Sequence, residues 1–336
     1  MLYHARVVTR SVIMAVAALA IANVADAADV TLKASHQWPG GKGDIRDEMV
    51  QMIAKEAEAA NVGLTVQVFP SSSLFKPKEQ WGALTKGQLD ISAFPLDYAS
   101  GRVPQFSATL MPGLVRNHER AQRLNTSPFM EKIKALIEEN DVIVLSDAWL
   151  AGAFASKKDC IAGPDSVSGQ VFRAAGPAFE QMLAAAGAGI ASMPSSEIYT
   201  AMQTGVLDAA NTSSESFISY RLYEQVSCLT APGENALWFM YEPILMSKKS
   251  WDKLTPEQQE ALSEAGKKAQ AYFAAETAKT DARMAEVYEK AGVKVTEMSK
   301  ADYDAWIGVA KTSAYKNFAD NVKGGQELID EALAVE

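Results

Sequence analysis

The chain has 336 residues, 48% hydrophobic and 22% charged, which is enough to bury the cores of two ordinary domains and too apolar for a disordered protein. Its formal net charge of −9 disfavours nucleic acid and anionic lipid as partners, because both are held by clustered Lys and Arg. Three histidines and two cysteines make a poor metal site, and no cofactor is expected.

In chain order, residues 1–27 read as a signal peptide. Arg6 and Arg10 give a basic start, Ser11 to Ala22 is apolar but shorter than the roughly 20 residues of a membrane span, and Ala25-Asp26-Ala27 is a small-x-small exit. An uncleaved anchor is the rival reading. With no twin arginine and no cysteine near the cut, neither folded export nor a lipid anchor is indicated. Cleavage takes Lys+Arg from 32 to 30 and Asp+Glu from 41 to 40, leaving a mature chain of net charge −10 outside the cytoplasm. No later stretch is apolar enough to cross a bilayer, so the mature protein is not expected to be membrane-embedded.

Strands and helices then alternate. DVTLKAS is a strand, DIRDEMVQMIAKEAEAAN a helix with Ile45, Met49, Met52, Ile53, Ala57 and Ala60 at helical spacing, and LTVQVFP an alternating strand. KPKEQWGALTKGQ and LDISAFP repeat the pair, and the pattern resumes at VIVLSDAWL. QVFRAAG, GIASMP and VLDAANTS are strands; PAFEQMLAAAG and EIYTAMQTG are helices. This alternation predicts an α/β fold with mostly parallel sheets. Thr255, Pro256 and Gln258 form a helix start, and only Gly266 interrupts the pattern before Gly292. Two readings are open: one helix over about 255–291, long enough to span two lobes, or two helices kinked at Gly266.

Cys160 and Cys228 suit a disulfide in an oxidising compartment, worth about 4 kcal/mol on a loop-closure argument; two buried thiols are the alternative. Catalytic motifs are missing from the sequence. WPGGKGD lacks the spacing of a phosphate loop, and His36 reads as readily as a hydrogen-bonded core histidine. Arg173 ends a short apolar strand, where its planar fork could grip a carboxylate at the carboxyl edge of a sheet; a salt-bridged surface arginine is the plain alternative. Asn211 and Thr212 close another strand, where turn chemistry is the plain reading.

Taken together, these residues resemble the core of TRAP-transporter solute receptors of the dicarboxylate-receptor type, the periplasmic proteins of ATP-independent uptake systems. Gly169, Arg173, Glu197, Tyr199, Ala201, Gln203, Gly205 and Asp208 match the family's pattern in order, and FPSSSLF, GQLDISAF and PILMSKKSWDKLTPEQQEAL are similar too. The resemblance implies a two-lobed periplasmic binding protein with crossing strands and a long helix spanning both lobes. Lobe I would be 28–150 with about 239–275, and lobe II 151–238 with about 276–325. It implies that Arg173 clamps a carboxylate in the interlobe cleft, with Asn211, Thr212, His36, Trp38, Phe94 and Tyr98 facing the same space and Trp149 and Trp238 as walls. Many relatives carry a second basic residue where this chain has Phe154. The expected ligand therefore has one carboxylate on an aromatic or sugar body, captured by hinge closure and passed to TRAP membrane subunits without catalysis. A binding protein of an ATP-driven importer, a chemosensory receptor, a secreted lyase or hydrolase using Glu197, Glu215 or His36, and a ligand-free structural protein are the rival readings.

Overall fold

The structure is a computed structural model that describes residues 29–335; the signal-peptide reading of residues 1–27 lies outside the described residues. Twelve strands follow one another along the described chain: β1 (Val30–Ser35), β2 (Leu64–Phe69), β3 (Ile91–Ala93), β4 (Val142–Ser146), β5 (Trp149–Ser156), β6 (Val171–Ala174), β7 (Gly189–Ser192), β8 (Ala209–Ser213), β9 (Cys228–Ala231), β10 (Trp238–Tyr241), β11 (Ile244–Ser247) and β12 (Lys294–Glu297). They make two mixed sheets. The first runs β2-β1-β3-β11-β4 and the second β12-β9-β5-β8-β6-β7, with β10 also on β5.

Each sheet is the floor of one lobe. In the first, Leu32 and Ala34 of β1 point inward between the outward Thr31 and Lys33, the two-residue period of a strand with one covered face. The helix Ile45–Ala59 covers that face with Met49, Val50, Ile53 and Ala57. β5, central in the second sheet, is buried along its whole length, as its apolar run WLAGAFAS requires.

The chain passes between lobes on two adjacent strands. β4 continues through Asp147 and Ala148 into β5, and β10 continues through Glu242 and Pro243 into β11. Trp149 pairs with Tyr241, and the Glu242 amide donates to the Ala148 carbonyl at 2.8 Å, so the two crossovers are tied to each other.

A single helix, Pro256–Lys290, is the third connection. Its start is the reciprocal cap read from the sequence: Thr255 Oγ1 accepts from the Gln258 amide at 3.3 Å, and Gln258 Oε1 accepts from the Thr255 amide at 3.1 Å. At 1.5 Å per residue its 35 residues extend about 52 Å. Leu262, Ala265, Ala269 and Phe273 enter the first core, and Met284 and Tyr288 enter the second. The helix continues through Gly266 because that glycine meets β4: a β-carbon there would stand 2.3 Å from the Leu145 carbonyl oxygen, and Ser146 Oγ donates to the Gly266 carbonyl at 2.7 Å. The glycine permits a close crossing and makes no kink.

After β12, the helix Lys300–Ala310 packs Tyr303, Trp306 and Ala310 into the second lobe. The chain then recrosses. Phe318, Leu328, Ile329 and Ala332 join a core shared with Trp81, Phe94 and Phe106 of the first lobe.

Cys160 and Cys228 are joined in a disulfide with a Cα–Cα separation of 5.1 Å across 68 residues. The Cys160→Ser, Cys228→Ser double variant should lose about 2–4 kcal/mol, because a long loop in the unfolded chain is released. Urea unfolding of the two proteins checks this.

Candidate functional site

Parallel strands of one sheet deliver their carboxyl ends to one edge, and in open α/β sheets ligands gather there. Here β1 and β3 of the first sheet and β6, β7 and β8 of the second bring those ends to the seam between the lobes. Residues immediately after these strands meet across it. Arg173, next to last in β6, is 1% exposed. Its Nε donates to the Met193 carbonyl at 3.0 Å and Nη1 to the Asn211 carbonyl at 2.9 Å, both within the second lobe. Its Nη2 donates to Tyr98 Oη of the first lobe at 3.1 Å. The same hydroxyl accepts from the Ser195 amide at 2.9 Å. No carboxylate among the described residues forms an ion pair with Arg173. Every partner it has is a neutral oxygen.

More polar groups crowd the seam. Tyr220 Oη donates to the Gln37 carbonyl at 3.0 Å, a second bond between lobes, and Gln37 Nε2 approaches Tyr98 Oη at 3.5 Å. Both side-chain atoms of the Asn211 amide are buried without a hydrogen-bond partner, as are Gln37 Oε1, His36 Nδ1, Trp38 Nε1 and Trp238 Nε1. Buried polar atoms are nearly always paired, so these atoms hold hydrogen-bonding capacity that the protein itself does not use. Tyr98 also walls a recess of about 360 Å³ on the first lobe, edged by Lys78, Lys86 and Arg102, so Arg173 lies one aromatic ring from an open surface.

Not every expected residue reaches this cluster. Tyr98 does, and Phe94 holds it edge-on from the core at 6.2 Å between ring centroids. Alternation along β8 turns consecutive residues to opposite faces. Thr212, opposite Ala153, shares the face of Arg173, whereas Asn211, opposite Phe154, shares that of Trp238, which pairs with Gly152. His36 takes Asp47 as partner at 3.1 Å. Burial pushes the Asp47 carboxyl up, but hydrogen bonds from His36, the Gly41 amide and Gln51 outweigh it and leave the group below its ordinary value. Trp149 lies at the crossover: its Nε1 donates to Asn125 at 2.9 Å, and its ring meets Tyr241 at 4.8 Å.

A second buried polar cluster, not foreseen from the sequence, ties the lobes beside the crossover. Arg46 sits on the Trp38 ring, 4.2 Å from the centroid, and binds the Asp44 carboxylate with Nε and Nη2 at 2.9 and 2.8 Å. Its Nη1 reaches Ser213, Ser216 and Glu242 at 3.0, 3.1 and 3.2 Å. Glu215 stands nearby, paired with Arg283 of the long helix. Burial opposes the Arg46 charge, but Asp44, Glu242 and Glu215 overcome it and raise its pKa. Three carboxylates face two guanidiniums. Burial and the Asp44 charge therefore push Glu215 up to about 7, against the pull of Arg46 and Arg283. The only signal in the sequence was a charged pair, Asp44 and Arg46, flanking the first apolar residue of a helix.

A family model, bacterial extracellular solute-binding protein, family 7, matches residues 34–321. The chain belongs to this family. A solute-binding protein of Albidiferax ferrireducens is 38% identical over 302 residues, 89% of each chain. Among solved structures, a TRAP periplasmic solute binding protein from Rhodoferax ferrireducens, with bound malonate, is 38% identical and superposes with a TM-score of 0.87, covering 90% of this chain and 96% of its own. Another, from Sulfitobacter sp. NAS-14.1 with bound β-D-galacturonate, gives 0.82 at 21% identity over 90% and 99% of the two chains, a likeness of fold. This family 7 chain is thus a periplasmic receptor of the TRAP type, which sets aside the importer and sensory alternatives. No helix among the described residues is long and apolar enough to cross a membrane.

Proposed function

We propose that this receptor closes on a small organic acid bearing one carboxylate, an aromatic or sugar acid, holds it against Arg173, and delivers it unchanged to TRAP membrane subunits. One observation carries the reading: a fully buried guanidinium between two lobes with no carboxylate of its own. Burying a lone cation costs several kcal/mol, so the closed arrangement needs an anion there. The carboxylate takes the Arg173 fork, with the Tyr98 hydroxyl beside it. Thr212 and Gln37 line the space for the body of the acid, while Phe94 braces Tyr98 and Trp149 serves the crossover. The proposed lobes are 28–150 with about 239–275 and 151–238 with about 276–325, and Phe318, Leu328, Ile329 and Ala332 of the last helices pack back on the first. Ligand contacts from both lobes exist only in the closed form, and that difference drives closure.

Mass spectrometry of whatever the purified protein releases on denaturation tests this. A monocarboxylic acid is the expected result, and an uncharged solute or a peptide would overturn the reading. A short dicarboxylate is the second reading, favoured by the malonate in the 38% identical relative. Against it, Arg46 is already committed to Asp44 and Glu242, which leaves no second unpaired guanidinium in the cluster. Competition between malonate and D-glucuronate separates the two.

A further inference from the structure

Asp97 stands on the turn after β3 in the first lobe, and Gly176 opens the helix Pro177–Ala185 in the second. The Asp97 carboxylate is buried at the seam. Oδ1 accepts from Ser100 Oγ at 3.0 Å, whereas Oδ2 has no hydrogen-bond partner. Oδ2 presses on Gly176 so closely that a β-carbon built on the glycine would fall 1.6 Å from it. The glycine backbone is extended (φ −175°, ψ −177°), which any residue can adopt. Gly176 is therefore required by the carboxylate across the seam and not by its own dihedral angles. The charged groups facing Asp97 are Lys78 from its own lobe and Arg173 and Glu180 from the other, and none forms an ion pair with it.

The geometry points to Asp97 and Gly176 as a closure seat through which the receptor takes up a proton together with its anion. The inference rests on the reading that an acid is captured at Arg173. In an open receptor Asp97 is wetted and ionised at neutral pH. Closing strips water from Oδ2 and supplies no donor in return. Burial, with Glu180 adding, pushes its pKa up to about 7 against the hydrogen bond from Ser100 and the charges of Arg173 and Lys78. An acid seated on Arg173 spends part of the positive field that favours ionised Asp97, so protonation is helped further.

The direction of the pH dependence follows. A carboxyl group raised by closure favours the closed form fully below its open-state value, near 4, and loses that contribution as pH rises through about 7. Isothermal titration with D-glucuronate and with pyroglutamate, both ionised throughout, should show binding about 20-fold tighter at pH 5.5 than at 7.5, with proton uptake visible in buffers of different ionisation heat. In Asp97→Asn that ratio should fall to within about 2-fold of whatever the hinge carboxylate Glu215, untouched by the substitution, contributes. Gly176→Ala should lose at least about 100-fold in affinity with an unchanged melting temperature, and adding Asp97→Ala to it should restore binding. Equal pH ratios in wild type and Asp97→Asn, or wild-type affinity in Gly176→Ala, would overturn the seat. If neither probe binds wild type at either pH, the ligand class proposed above fails instead. Small-angle scattering at pH 5.5 without added acid then decides: wild type more compact than Gly176→Ala supports the seat, and equal radii refute it.

Discussion

Arg173→Ala is expected to weaken binding of the acid by about 2–5 kcal/mol while leaving the melting temperature nearly unchanged. The size follows from what the guanidinium does. It is buried, forms no ion pair with a carboxylate of the described residues, and donates to three neutral oxygens, from Met193, Asn211 and Tyr98. Removing it leaves a desolvated carboxylate with no charge opposite and removes a bond between the lobes. Arg173→Lys should recover only part of the loss, because an ammonium cannot reproduce the fork. Calorimetry on the three proteins measures both steps; equal affinity in wild type and Arg173→Ala would end the clamp assignment.

Arg46→Met should cost stability rather than affinity alone, about 3–5 kcal/mol in chemical unfolding at pH 8. The side chain satisfies Asp44 twice and reaches Glu242 and two serines of the other lobe. Without it, Asp44, Glu215 and Glu242 share one cation, Arg283, in a buried place. Glu215 is already raised to about 7, and Glu242 is raised by burial against the pull of Arg46. Loss of the guanidinium moves these groups further up. Groups whose folded values are raised add stability below their unfolded values and lose it as pH rises through the folded ones, so the deficit should shrink toward pH 5. A deficit independent of pH would show that lost packing on Trp38, and not charge, accounts for the effect.

Local chemistry made much of the architecture legible in advance. Period-two alternation located β1 and β2, helical spacing located Ile45–Ala59, and the Thr255–Gln258 cap located the start of the long helix. For Arg173 the strand end alone favoured a salt-bridged surface residue, and only the family resemblance pointed to the interlobe position in which the structure buries it. What could not be read was set by distance across the fold. Asn211 and Thr212 looked equivalent, and only the pairing of β8 with β5 turns one away from the other. Trp149 was expected as a cleft wall only through the family resemblance; its hydrogen-bond partner, Asn125, is 24 residues earlier. Arg46 meets groups more than 160 residues away, and Asp97 meets Gly176 across the seam, juxtapositions that no local pattern encodes.

The long helix has a mechanical consequence. Its first half is locked into the first core from Leu262 to Phe273, with Gly266 seated on β4, and its far end is locked into the second core at Met284 and Tyr288. If the lobes swing apart, neither end can slip, and the flexure falls on the turn from Thr277 to Thr280. There both hydroxyls are buried, one on the Trp149 carbonyl and one bonded back to Glu276, a bond of the kind that bends helices. The helix is then a leaf spring, and its elasticity, together with the two strands beside it, sets how readily an empty receptor gapes.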